Sequence, residues 1–513
     1  MVSLAVAEYV SIDPTTDSGC TLFPANGPLP AEFLIVPQLA TGEPGKTSSF
    51  RLAGDTIRPV AVPLAEPPPA LSPALQFHDF LRHGDERRWR GMPLRPAATG
   101  PALPAPAAGP PNYGDARQFH VCATTTCSRF QTVTATVQAV RNKVAIFVDD
   151  AAPAGGLDSL ALDALSRTFD DTLYPTDTAA FGRESDIDAN SVVLVLMTPV
   201  VNKLVTKADC QTNGYVAGFF YGADLEPSLA NSNVGEVFYS IVADPTGTVS
   251  CAHTTTEVER LVPVTFIHEF QHMISYNQHA LVRNGDPEVL WLNEGFSHYA
   301  EELGGRMYGQ GSPQFTRFTI GDLYNAYQYL DSTDKHFLLP TVGIGSLAER
   351  GAAWLFVRYL VDRYSGGTSI AQWNTFTHGM VSTGASGAGN VAAATGQSFQ
   401  TVVARWALAN WVSDLPGFSP PPELKYDSWA FRTTYASLNA QDPRNFPKPF
   451  PLTPTQSEGR AVLLSGTLRA GSGMYHRALQ AANDRGFTLL FSTGGGGLLN
   501  AALFPQLTVI RIQ

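Results

Sequence analysis

The sequence predicts an α+β protein in which a mixed sheet and a long helix lie between two strand-rich ends. Short β-branched and aromatic segments, such as Phe33–Val36 and the runs AVLLSGTL and LTVIRIQ, stand near both termini between Gly and Pro clusters. In the middle, strand runs such as VVLVLM are followed by stretches whose apolar residues recur at helical spacing. The central strands come before the long helix that would cover them, an order that favours an α+β layer.

The length of 513 residues at roughly 150 per domain argues for two to four folded units. The chain carries 34 Lys and Arg against 45 Asp and Glu, a net charge of −11, with 15% of residues charged. That balance argues against nucleic acid as a partner. Apolar runs such as Val192–Met197 fall far short of the ~18 residues a membrane span needs, so a soluble globular chain is expected. Gly 45 and Pro 38 make up roughly one residue in six, which predicts many turns and linkers. The opening MVSLAVAEYVSIDP has neither the basic start nor the long apolar stretch of a secretory signal.

Residues 1–58 read as an N-terminal β-module, with strands near Phe33–Val36 and Ser49–Leu52. Residues 59–111 read as a Pro-rich linker holding one helix, Leu75–Arg90, with Phe77, Phe80 and Leu81 facing inward. Residues 112–280 form a lobe of strand, helix, three strands and a helix. VAIFVDD, VVLVLM, Val216–Tyr221 and Glu236–Val242 are its strands, Leu157–Leu173 its first helix, and its second begins near Thr254. Residues 281–420 form an α-rich lobe, on the stripes Trp354, Val357, Leu360, Val361, Tyr364 and Val402, Trp406, Ala409, Trp411. Residues 421–513 read as a C-terminal β-module.

The segment TFIHEFQHMISY places His268, Glu269 and His272 in an H-E-x-x-H pattern. Histidines four apart share a helix face. Two such imidazoles can converge on a zinc ion, whose bonds to nitrogen are about 2.0–2.1 Å. Glu269 beside the first histidine is then placed to take a proton from water activated by the metal. The pattern alone arises by chance in roughly one chain in a hundred of this length. A second bounded helix follows, however, with Asp286 as N-cap, Pro287 at its first position, and Gly304 and Gly305 at its end. Glu294 falls mid-helix beside Leu292 and Phe296, where a carboxylate needs a partner. A site with two histidines and one glutamate leaves a fourth position for water, so Glu294 is the third candidate ligand.

The string W-L-N-E-G-F at Trp291–Phe296, after H-E-F-Q-H, resembles the signature of gluzincin metallopeptidases. HEFQHMI followed by WLNEGFSHYAEEL is most similar to the hyicolysin-type peptidase family. The resemblance is firm over Thr265–Gly305, looser over the preceding strands and GAAWLFVRYLVDRY, and does not reach the terminal modules. It implies a zincin-type core and a zinc-dependent neutral endopeptidase acting on proteins or peptides, usually secreted by bacteria. Under it His268 and His272 match the histidine ligands, Glu269 the general base and Glu294 the acidic ligand. The interval from His272 to Glu294 is slightly longer than in gluzincin aminopeptidases, whose amine-capturing Gly-x-Met-Glu-Asn string does not occur here. Endopeptidase is therefore favoured over aminopeptidase. A catalytically idle adhesion protein of the same fold is a further alternative, and the intact Glu269 argues against it.

His298, one turn beyond Glu294, can orient a ligand, contact substrate or simply bond within a helix interface. An oxyanion donor is sought among Tyr299, Tyr308, Tyr324, Tyr359 and His336. The remaining histidines, including His120, His253, His279, His378 and His476, show no ligand spacing. The acidic stretches Val148–Asp150 and Glu184–Asp188 are candidates for structural calcium, with solvated loop carboxylates as the default. Cys122 with Cys127, and Cys210 with Cys251, can each form a bridge if the chain is exported, which leaves Cys20 over. An extended substrate is expected to add to a free sheet edge, at Val216–Tyr221 or Glu236–Val242.

Overall fold

The computed structural model describes residues 1–56, 71–89, 109–341 and 343–513, so most of the expected linker at 59–111 lies outside the described residues. The chain divides into two compact units. One comprises Met1–Pro69, Leu323–Trp373 and Gly387–Gln513, the other Ala70–Asp322 and Asn374–Ser386.

Strands β1 (Tyr9–Ile12), β2 (Cys20–Phe23), β3 (Ala31–Leu39) and β4 (Thr47–Gly54) precede helix α1 (Pro73–Trp89). Next come β5 (Ala116–Cys122), β6 (Phe130–Val140), β7 (Val144–Asp149), α2 (Ser159–Thr168), α3 (Tyr174–Phe181) and β8 (Val193–Met197). Short helices α4 (Pro199–Asn202) and α5 (Lys207–Thr212) lead to β9 (Gly218–Phe220) and β10 (Val237–Ser240). The long helices α6 (Thr255–Tyr276) and α7 (Leu290–Arg306) follow. Helices α8 (Pro313–Asp331), α9 (Leu347–Tyr364), α10 (Ile370–Val381), α11 (Gly387–Thr395), α12 (Phe399–Val412) and α13 (Phe431–Gln441) come next. The chain closes with β11 (Thr455–Glu458), β12 (Leu463–Arg469), β13 (His476–Gln480), β14 (Phe487–Ser492) and β15 (Pro505–Arg511). The α+β expectation holds.

In the first unit the strands form two sheets, ordered β1-β15-β3-β13-β11 and β12-β4-β14-β2. No two of the first four strands are neighbours, and each pairs with a strand from beyond residue 454. The strands expected as two terminal β-modules, 1–58 and 421–513, therefore share one β-sandwich. The reason lies in β3, whose AEFLIVPQL is buried along its whole length and needs a partner on both edges. It finds them in β13 and β15, with Ile35 opposite His476 and Val509. Phe23, Phe33, Phe50, Leu52, Leu489 and Phe491 fill the space between the sheets. Phe23 stacks on Phe487 at 4.4 Å and meets Phe33 edge-on at 5.1 Å. Helix α12 covers the other face of β3, which is why its apolar run does not alternate.

The second unit holds one mixed sheet, β5-β6-β7-β8-β10-β9. β7, β8 and β10 run parallel, and β9 lies antiparallel to β10 at the edge. Helix α6 packs against β9 and β10, with Phe266 edge-on to Phe238 at 4.9 Å. It starts where the Thr254 hydroxyl accepts the Glu257 N–H at 3.1 Å, which satisfies one of the free donors of the first turn. Helix α7 packs on α6. It begins at Leu290, with Val289 as N-cap, so Asp286 and Pro287 lie before the helix rather than opening it. Gly304 does not end α7 either. A Cβ there would meet Ile267 Cδ1 at 3.0 Å, so this glycine serves the close approach of α7 to α6. The α-rich stretch expected at 281–420 is shared between the units, which divide within α8 and α10.

Both expected disulfides are present: Cys122–Cys127, with Cα atoms 4.8 Å apart, and Cys210–Cys251, at 6.0 Å. Cys20 is free and exposed. Among the described residues no helix is long and apolar enough to cross a membrane.

Because its strands have no partners among themselves, the fragment 1–56 expressed alone is expected to give a collapsed amide NMR spectrum without dispersed strand signals. A dispersed spectrum would restore the separate-module reading.

Candidate metal centre

Helix α6 carries His268, Glu269 and His272, all buried, and α7 presents Glu294 to the two histidines. His272 Nε2 lies 3.3 Å from Glu294 Oε1, and His268 Nε2 lies 3.7 Å from Glu294 Oε2. Ligand atoms of the three residues fall within 4.8 Å of one another. Glu294 thus faces the imidazole pair, and the three predicted ligands come together.

The other ring nitrogens are held. His268 Nδ1 is 2.7 Å from Glu301 Oε1, and His272 Nδ1 is 3.2 Å from Asn293 Oδ1. An acceptor at Nδ1 fixes the proton there and leaves Nε2 with its lone pair, the form that binds a metal. Burial drives the His268 pKa down to about 3 against the opposing pull of Glu301, so the ring is neutral at ordinary pH. Two imidazole Nε2 atoms beside a buried carboxylate match the donor set of a zinc site. A second group, His268, His298 and Glu301, also lies within metal-binding reach. Its members already form a chain of contacts, since Glu301 Oε1 meets His298 Nδ1 at 3.0 Å as well as His268 Nδ1. His298 Nδ1 in turn lies 2.8 Å from Asp322 Oδ1. His298 therefore lies against the same carboxylate that meets His268.

Glu269 is 1% exposed, and burial pushes its pKa up, opposed by His272, Arg82 and the Phe220 N–H. Its Oε2 accepts that N–H at 3.0 Å, so the carboxylate is tied to edge strand β9. Helix α1 also reaches it. Arg82 Nη2 lies 3.8 Å from Oε2 and donates to the Phe220 carbonyl at 2.7 Å, while His78 Nδ1 lies 3.6 Å from Oε1. Phe77 packs edge-on against Phe219 at 4.9 Å. Phe77 and Leu81 are buried as expected, whereas Phe80 is half-buried.

Sequence reasoning missed His78, Arg82, Asn293, Glu301 and Asp322. One signal was available for the first two: they sit four apart on a helix whose apolar face was already identified. Of the oxyanion candidates, Tyr299 is wholly buried edge-on to Phe181 at 6.4 Å, and Tyr308 stacks on Phe318 at 6.0 Å. Tyr324, Tyr359 and His336 belong to the other unit. The acidic stretch Val148–Asp150 is used internally: Asp149 accepts from the Thr198 hydroxyl at 2.6 Å and the Ala151 N–H at 2.8 Å. Asp150 accepts from the Thr136 hydroxyl at 2.8 Å.

No protein-family model matches the chain. A stretch of 141 residues, 27% of the chain, is 30% identical to the neutral metalloprotease ShpI of Staphylococcus hyicus. That relative is a metalloprotease. The match spans 30% of its length, so it relates part of this chain to a metalloprotease and no more.

Arg82 is 2% exposed, with Asp85 at 3.3 Å as well as Glu269. Arg82→Ala is expected to cost about 3–5 kcal/mol, because it strands buried carboxylates without their cation. Urea unfolding of the metal-free protein measures this, and an unchanged midpoint would contradict it.

Proposed function

We propose that the chain is a zinc-dependent metalloendopeptidase in which His268, His272 and Glu294 hold the metal and Glu269 is the general base. The observation that carries this reading is the convergence of both Nε2 atoms on the Glu294 carboxylate while both Nδ1 atoms are held by Glu301 and Asn293. The partial match to a metalloprotease supports it.

Zinc bound there would supply Lewis acidity towards a peptide carbonyl and lower the pKa of water towards about 7. Glu269, next in sequence to His268, takes the proton of the attacking water and returns it to the leaving amine nitrogen. Glu301 and Asn293 hold the imidazoles in register, and Asp322 and His298 steady Glu301.

Substrate lies extended along β9, an edge strand of the mixed sheet, through main-chain hydrogen bonds that read little sequence. Of the two edges expected from sequence, Glu236–Val242 is excluded, because β10 runs between β8 and β9. Pairing at Phe220 exchanges the Arg82 guanidinium for a peptide N–H. An oxidising, extracellular compartment fits the two disulfides.

Glu269→Gln is expected to abolish hydrolysis of a peptide blocked at both ends while retaining about one zinc per chain by atomic emission. Wild-type turnover in that variant would end the peptidase reading, and cleavage of free N-termini only would make the protein an aminopeptidase. Glu301→Ala should weaken zinc binding about 10–100-fold in competition with a chromogenic chelator, through loss of the His268 Nδ1 contact. Unaltered affinity would remove Glu301 from the site.

A further inference from the structure

We propose that Asp186, Asp188 and Glu236 form a calcium site separate from the zinc-binding residues. The three offer carboxylate oxygens within 4.8 Å of one another. Asp186 and Asp188 lie in the turn before β8, and Glu236 immediately precedes β10. The Leu194 N–H donates to the Glu236 carbonyl at 2.8 Å, which joins the two segments at one end of the parallel strands.

Glu236 is the telling residue. It is 1% exposed, and its Oε1 accepts from the Ser185 hydroxyl at 2.5 Å and the Ile187 N–H at 3.2 Å. Its Oε2 is equally buried and has no hydrogen-bond partner among the described residues. A buried carboxylate oxygen without a hydrogen bond, on a side chain grouped with two further carboxylates, is costly unless a cation shares the space. Arg117 has Nη1 at 3.7 Å from Asp188 Oδ2. One guanidinium against three carboxylates leaves an excess of negative charge.

The loop chemistry points to calcium. Asp186, Asp188 and Asn190 alternate as D-x-D-x-N, the opening of a calcium-binding loop, in which the next position must turn left-handed. Here that position is Ser191, at φ 65°. The final acidic residue, Glu236, comes from just before β10 instead of from further along the loop. All donors are oxygens and the loop pattern is that of a calcium-binding loop, which favours calcium over magnesium. Asp188 Oδ2 accepts from Asn190 Nδ2 at 2.7 Å, and Asp186 Oδ1 from the Ser191 N–H at 3.0 Å. Gly235 leaves room for the carboxylate, as a Cβ there would stand 2.9 Å from Asp188 Oδ2.

The consequence is structural. Arg183, three residues before Asp186, accepts through its carbonyl from Asn277 Nδ2 at 2.9 Å and Gln278 Nε2 at 2.6 Å, just beyond the C-terminal end of α6. A cation that pins this turn to the start of β10 also steadies the helix that carries His268 and His272.

The test uses the full chain, stripped of divalent ions, reloaded with stoichiometric zinc and titrated with calcium chloride by calorimetry and thermal melting. The expected result is one calcium bound and a rise in Tm on the order of 5 °C at a hundredfold excess over Kd. Asp186→Asn, at an exposed position, and Glu236→Gln should each remove most of that rise. No calcium binding, the full rise in both variants, or an equal response to magnesium chloride would overturn the proposal. The readout is binding and melting, so it stands or falls independently of peptidase activity. Glu269→Gln should show the wild-type calcium response.

Discussion

The contact between two imidazole Nε2 atoms and one carboxylate constrains how α6 and α7 pack. Glu294 sits 3.3 Å from one histidine and 3.7 Å from the other, in a setting from which water is largely excluded. Three ligating groups gathered there carry a desolvation cost that a dication offsets well and a hydrogen bond offsets poorly. Much of the neighbourhood serves this convergence. Gly304 lets the helices approach, and Glu301 and Asn293 aim the rings. The mixed sheet beneath α6 supplies the Phe220 N–H that fixes Glu269.

The polar chain Asp322–His298–Glu301–His268 extends this order from α8 through α7 to α6. Each carboxylate faces an imidazole, so the charges alternate with neutral or cationic rings across a buried space. Such a chain restrains ring orientation at His268 more firmly than packing alone, because rotating the ring breaks a 2.7 Å contact in low dielectric. On the far side of Glu269, Arg82 and His78 bring α1 into the same electrostatic group, so a helix flanked by Pro-rich sequence is part of the setting of the proposed base.

The site was legible in the sequence where its chemistry is local. His268, Glu269 and His272 fall within five residues, and helical spacing places both imidazoles on one face. Glu294 was legible because an acidic residue inside an apolar stretch requires a partner. His78, Arg82 and Asp322 were not, since their significance arises only when distant segments meet. The strands of the mixed sheet were recognisable from their β-branched runs, and so was the position of α6 after them. The joining of the two ends of the chain was hidden for the same reason as Asp322. The pairing of β3 with β15 sets Val36 opposite Thr508, and nothing local to either strand names the other. The opening of α7 was misplaced because Asp286 and Pro287 carry strong helix-start chemistry, yet the helix begins only at Leu290, with Val289 as its N-cap.

The central claim is that two imidazoles and one carboxylate share a zinc ion, and X-ray absorption at the zinc edge of the metal-loaded protein measures it most directly. The account predicts nitrogen and oxygen neighbours at about 2.0–2.2 Å, with the multiple scattering of two imidazole rings and no sulfur. A sulfur shell near about 2.3 Å, or scattering from fewer than two imidazoles, would contradict it.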